Sequence, residues 1–165
     1  GAYDVVEISR ADVISDAWDY VAFGHHHLFQ QIAPNAYYAG SLEYTSTNIW
    51  SEINQPKGFI EYDLDDRKLV RFHRVSTRQV IDLDPVDAAG LQAADLNRTI
   101  EERAAAIPGG VKNKVVRLLV NNIDRSVQSD LDFAMIRSLR SEALHFELQL
   151  RPPKRGAAGV TESDA

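Results

Sequence analysis

The sequence predicts an α/β chain of the α+β kind, with a strand-rich first part and a self-contained β-α-β-α-β second part. Three observations carry that expectation. Residues 58–64 and 69–75 alternate apolar and polar side chains on either side of Asp65-Asp66-Arg67-Lys68, the pattern of a hairpin. Residues 92–106 set Ala93, Leu96, Ile100 and Ala104 at helical spacing in a stretch rich in Glu, Arg and Ala. Residues 114–122 form the strongest strand pattern in the chain, and residues 144–150 alternate again after a second helical stretch.

The other elements follow in order. Residues 10–18 predict a short helix or turn, and Asp19-Tyr20-Val21-Ala22-Phe23 a strand that runs into Gly24. Pro34-Asn35 marks a turn, after which Tyr37-Tyr38-Ala39 reads as a short strand closed by Gly40-Ser41. Residues 78–83 predict a strand ended by Asp84-Pro85, and Pro108-Gly109-Gly110 stops the helix over 92–106. Asp130 is placed to cap a second helix through about residue 142, with Leu131, Met135, Ile136 and Leu139 on its apolar face. Pro152-Pro153 stops the last strand. The expected organisation is therefore a strand-rich part over 1–75, an α+β unit over 76–151 and a small, polar, flexible tail over 152–165. Strands without a covering layer are incomplete as a fold. The first part supplies almost no helix and starts at Gly1 rather than Met, so the chain is expected to be a piece of something longer.

Composition narrows the function classes. With 165 residues, 44% hydrophobic and 25% charged, the chain reads as a soluble globular protein rather than a disordered one. No apolar run approaches the ~18 residues a membrane-spanning helix needs, so no membrane is expected among its partners. Asp4 and Glu7 and the lack of an apolar stretch near the N-terminus argue against a signal peptide. The absence of cysteine excludes disulfides and thiolate metal sites and makes the cytoplasm the default compartment. A net charge of −6 argues against coating nucleic acid by charge alone. The charge is uneven, however: residues 1–75 carry 6 bases against 11 acids, and residues 111–155 carry 9 bases against 5 acids. The second surplus, which includes Lys112, Lys114, Arg117, Arg125, Arg137 and Arg140, permits a phosphate-facing surface, and equally a solvated charged face.

Gly24-His25-His26-His27 is the segment that points to chemistry. A strand that ends in Gly-His-x-His delivers imidazoles at i and i+2 to one side, which is how two ligands reach one metal centre. Neutral imidazole is a common metal ligand. His25 and His27 are the candidate ligands; the alternative is a structural triplet with one ring packed and two facing solvent. His73 and His145 sit in alternating strands and read as satisfied sheet residues. Asp63, Asp65 and Asp66 cluster in a turn, where aspartate suits the backbone geometry. Neither a Gly-x-Ser-x-Gly elbow nor a phosphate-binding glycine loop is present.

The ordered set of segments resembles a known family. Residues 19–27, then Tyr38-Ala39-Gly40-Ser41-Leu42-Glu43, then Lys57-Gly58-Phe59 resemble the end of the nuclease domain of SbcD-type DNA repair exonucleases, which are calcineurin-like metallophosphoesterases. Residues 78–83, 116–120 and 131–137 resemble the capping domain of a bacterial branch of that family. The resemblance spans residues 12–151 in order. It implies the C-terminal part of a four-layer metallophosphoesterase sandwich over 1–75 and a small α+β capping domain over 76–151. It implies further that His25 and His27 ligate a two-metal site, usually manganese, while His26 has no ligand role. In the complete protein two metals ~3.5–4 Å apart would activate water and neutralise the phosphate of a DNA phosphodiester. The implied partners are DNA, an SbcC-like ATPase subunit and a second copy docked through the missing half.

The family's upstream ligand motifs, Asp-x-His, Gly-Asp-x-x-Asp and Gly-Asn-His, are not in this sequence. The chain is therefore expected to be the C-terminal part of a metal-dependent DNA exonuclease subunit, inactive without its catalytic first half. Two alternatives stand beside it: a non-catalytic DNA- or partner-binding module, and a metallophosphoesterase acting on a phosphate ester other than DNA.

Overall fold

In the computed structural model the described residues are 9–153, and the chain divides into two compact units that meet between Arg78 and Gln79. Both mix strands with short helices, so the α+β expectation holds at that level. The expected flexible tail lies almost wholly outside the described residues. No helix among the described residues is long and apolar enough to cross a membrane.

The first unit begins with a single helical turn, α1 (Arg10–Val13), and then builds a three-stranded sheet from β1 (Val21–Phe23), β2 (Gln30–Ala33) and β3 (Ala36–Tyr38). β3 lies in the middle, parallel to β1 and antiparallel to β2. β2 has no strand counterpart in the sequence reading. Its residues Gln-Gln-Ile-Ala carry no alternation, and only its pairing with β3 through the Pro34-Asn35 turn makes it a strand. The hairpin of β4 (Gly58–Asp63) and β5 (Lys68–Arg74) forms as the alternation predicts. Asp63 accepts hydrogen bonds from the backbone N–H groups of Asp65 and Asp66, both at 2.9 Å, which shapes the turn that the aspartate cluster announced.

Aromatic rings make the core of this unit. Tyr37 of β3 is 2% exposed, and its ring lies 6.3 Å from Tyr20, 5.8 Å from Tyr62 of β4 and 6.4 Å from Phe29. Phe29 in turn meets Phe72 of β5 at 4.9 Å. The cluster ties the three-stranded sheet to the hairpin. Buried aromatics need partners for their polar ends; the Tyr37 hydroxyl donates to the Pro34 carbonyl at 2.8 Å and accepts from the Gln31 amide at 3.0 Å. Burial pushes the Tyr37 phenol above its ordinary value of 10.0.

The second unit follows the β-α-β-α-β order. β6 (Val80–Asp87), β7 (Val115–Asn121) and β8 (His145–Leu150) form a parallel sheet in sequence order, joined by α2 (Ala93–Ala105) and by α3 (Arg125–Ser129) followed by α4 (Phe133–Glu142). Val116, Leu118 and Val120 of β7 are fully buried and alternate with half-buried neighbours. They meet Leu96, Ile100 and Ala104, one stripe of α2, and Ile136 of α4 in two adjoining apolar clusters. Both helices therefore cover the same face of the sheet.

Two details correct the sequence reading. β6 does not stop at Asp84-Pro85 but continues to Asp87, because the register slips between Leu83 and Val86. Proline lacks a ladder donor, and such a slip lets the strand carry it. The second helix is capped by Asp132 rather than Asp130. The Asp132 carboxylate accepts from the backbone N–H of Ala134 at 2.9 Å and of Met135 at 3.0 Å, while Asp130 closes the separate short helix α3. An Asn97 side chain on α2 accepts from the Asp132 N–H at 3.0 Å, which anchors the cap to the neighbouring helix.

Removing the Asp132 carboxylate should therefore cost about 1 kcal/mol of stability, as caps do. The change Asp130→Ala should stay within about 0.5 kcal/mol, as exposed substitutions do. Denaturant unfolding followed by helical circular dichroism reads both; equal losses would refute the assignment of the cap.

Candidate functional site

The histidine run leaves the end of β1 and enters a loop over residues 24–29, so the strand alternation that would place i and i+2 together does not operate there. His25 adopts a left-handed backbone conformation, φ 78, and is exposed. Such a conformation is uncommon for a residue other than glycine and reorients the chain at that point. The His25 ring lies edge-on to His26 at 5.8 Å, and His26 lies edge-on to Tyr38 at 4.6 Å. His27 alone turns inward: its Nδ1 is 3.5 Å from a carboxylate oxygen of the buried Glu52.

Beneath the loop sits a buried ammonium. The Lys57 side chain is 0% exposed and its Nζ donates to three oxygens: the His27 carbonyl at 2.9 Å, Ser41 Oγ at 3.0 Å and Glu52 Oε2 at 2.6 Å. An ammonium has three donors, and each is used. The Tyr44 ring adds a cation–π contact at 5.1 Å. Ser41 completes the arrangement from the other side. Its backbone N–H donates to the His27 carbonyl at 3.2 Å, and its hydroxyl donates to the Glu43 carbonyl at 2.7 Å.

Local sequence allows this geometry. Gly40 has φ +85, and a Cβ there would lie 3.0 Å from the Phe29 nitrogen and 3.1 Å from the His27 carbonyl, so only glycine lets the turn close on the histidine loop. Gly58 lets β4 run tight against β5, since a Cβ there would come within 2.0 Å of the His73 carbonyl. The Lys57 carbonyl accepts from the Val75 N–H at 2.9 Å, which fixes the lysine at the mouth of the hairpin. Glu52 follows a 3-10 turn over Ile49–Ser51 and its N–H bonds back to the Ile49 carbonyl at 3.0 Å.

Burial alone would raise the Glu52 carboxyl, but hydrogen bonding, from Lys57 first and then Ser46, together with the nearby positive charge outweighs it and holds the group below its ordinary value of 4.5. The other histidines behave as sheet residues. His73 packs on Phe59, with ring centroids 4.9 Å apart, and meets Glu61 at 2.6 Å; His145 opens β8.

Among the described residues no group of three or more His, Cys, Asp or Glu side chains is placed to hold a metal ion. His25 and His27 lie in one loop, but among the described residues no set of three donors converges around them. Catalytic metal sites need at least three protein ligands, so a metal pair does not fit this donor set alone. Comparison with protein-family models gave no match for the chain, and comparison with curated proteins gave none either.

Ser41 and Lys57 stand in segments that carry the family resemblance without a role of their own there, and Glu52 stands in none; only the fold brings the three together.

The lowered Glu52 value fixes the sign of a pH effect. The ionised pair adds stability that is fully present above pH 4.5 and is lost as pH falls through the lower folded-state value. Both tryptophans, Trp18 and Trp50, lie in the first unit, so fluorescence reports its unfolding. Glu52→Gln should lower stability at neutral pH by about 3 kcal/mol, because it strands a buried cation, and should flatten the acid dependence. The same acid dependence in both proteins would refute this account.

Proposed function

We propose that this chain is the C-terminal part of a metal-dependent DNA exonuclease subunit of the SbcD type. On this proposal the first unit is the end of a four-layer metallophosphoesterase sandwich, and the second is its capping domain. One observation supports it above the rest. The three segments that carry the nuclease-domain resemblance converge on one hydrogen-bond network, through His27, Ser41 and Lys57. Residues separated by up to thirty positions meet at one atom, the His27 carbonyl.

His25 and His27 would be the ligands this chain contributes to a manganese pair, which when bound supplies an activated water and neutralises the phosphate. The remaining donors would belong to a catalytic half outside this sequence. The chain alone, supplied with manganese and linear DNA, should show no turnover, and robust cleavage would sink the proposal. In a complete parent enzyme His25→Ala should abolish phosphodiester hydrolysis; full activity in that variant would remove its ligand role.

The second unit offers a surface for DNA. Lys112, Arg137 and Arg140 are exposed, and no side-chain hydrogen bond or ion pair to them occurs among the described residues. Lys112 pairs with Ala143 just beyond α4, which sets it beside the end of the helix that carries both arginines. Phosphate contacts position a duplex without reading sequence, and each adds to the salt dependence of binding. A triple change of these residues to alanine should weaken DNA binding and lower the salt slope by about one unit for each phosphate left without its cation. Salt-insensitive binding, unaltered by the triple change, would favour a small phosphate ester over DNA. DNA binding without any activity in an assembled parent would favour a docking module, with an SbcC-like ATPase or a second copy as its partner.

A further inference from the structure

We infer that Lys57, Glu52 and Ser41 are positioning residues for His27, a clasp that holds the histidine's main chain and faces its ring; the inference deepens the proposed function and rests on it for His27's importance. Residues 24–29 have no helix or strand of their own. Outside the strand ladders, the bond from the Ser41 N–H to the His27 carbonyl is the one backbone hydrogen bond they make among the described residues. Lys57 adds a charge-assisted bond to the same carbonyl at 2.9 Å. Glu52 divides its carboxylate between the two parts of the arrangement, with one oxygen 2.6 Å from Lys57 Nζ and the other 3.5 Å from His27 Nδ1.

The disposition of the donors is specific. Taking an ammonium out of water is costly, and an apolar side chain of similar size fills buried space without that cost. A lysine that served packing alone would need acceptors of any kind. Two of the three acceptors of Lys57 are the His27 carbonyl and the hydroxyl of the residue whose N–H holds that carbonyl. The cation is thus committed to the junction of the histidine loop with the Gly40-Ser41 turn. The lever passes through the backbone of His27 and then to the ring, which is the ordinary work of groups that orient a ligand.

The test uses the full, metal-free chain. The double change Glu52→Gln with Lys57→Met removes both charges together, so neither is stranded in the interior. Hydrogen exchange of the residue 41 amide reads the main-chain part of the clasp, and ring nitrogen NMR shifts of His27 read its side chain. In the double variant the residue 41 amide should exchange at least about tenfold faster, and the His27 ring shifts should move toward those of the exposed His26. The amides of Ile60 and Phe72 in the β4–β5 ladder should change by less than about twofold. The single change Ser41→Ala should move the His27 ring shifts in the same direction by a smaller amount, and it carries the test alone should the double variant fail to fold. Unaltered His27 ring shifts would overturn the inference, as would a loosening shared equally by the β4–β5 ladder. Since no metal or substrate enters, a failure of the nuclease proposal leaves these outcomes readable, and an unmoved His27 leaves that proposal standing.

Discussion

A single buried ammonium constrains most of what the first unit does. Lys57 has no contact with solvent, and a charge in that position is tolerable only when every donor is matched and a counter-charge is close. Meeting those terms draws Glu52 into the interior, brings the Ser41 hydroxyl over the ammonium and turns the His27 carbonyl inward. Gly40 and Gly58 are the backbone concessions that let these segments approach, one by a left-handed turn and the other by leaving room for a neighbouring strand. The aromatic cluster around Tyr37 supplies the apolar burial and holds the end of the histidine loop through Phe29. The polar network fixes the loop at the His27 carbonyl.

The two units differ in how far their sequence announces them, and the reason is physical. The second unit is legible because its elements are long enough to repeat their period. Leu96, Ile100 and Ala104 mark a helix face, and Val116, Leu118 and Val120 mark a strand face. Where it misleads, a local rule met a tertiary one. Pro85 ends a strand by propensity, yet a slip in register carries β6 past it. Asp130 reads as the cap, yet Asp132 takes that place, its N–H held by Asn97 on the neighbouring helix while Asp130 closes α3. In the first unit only the β4–β5 hairpin repeats its period, and the strands of the three-stranded sheet are three or four residues long. β2 is invisible in isolation because a four-residue strand of Gln-Gln-Ile-Ala has no pattern to read.

The candidate site divides along the same line. The histidine run was legible as a metal-ligand pattern, but the geometry first attached to it, two rings on one face of a strand, does not occur, because the strand ends at Phe23. Buried polar partners leave no periodic trace. Glu52 and Lys57 are five residues apart, in the spacing of an exposed turn, and only the distance of 2.6 Å between their charges shows what they do. The second unit hides a comparable arrangement. Arg117, in the middle of the strongest strand pattern, reads as an outward residue; in the parallel register it stands between Asp82 and Glu147 on the neighbouring strands. It grips Asp82 through two nitrogens, at 2.9 and 2.6 Å. The hydrogen bonds to Asp82 raise the guanidinium above its ordinary value. Sequence order cannot reveal a register, so such a row across three strands is found only in the fold.

Fixing the main chain of His27 has a consequence for any ligand its ring would meet. A loop that must be ordered at the moment of binding subtracts that ordering from affinity, whereas one ordered by folding does not. The clasp transfers the ordering of the His27 backbone to the folding of the first unit, where the aromatic cluster and the Lys57–Glu52 pair sustain it. Among the described residues His25 has no such clasp: it is exposed, its backbone is left-handed, and its ring meets that of another exposed histidine. The two proposed donors are therefore unequal in their preparation. On the proposed function His27 would be set before a ligand arrives and His25 would be drawn in with it, so the network beneath His27 would give the pair a fixed point.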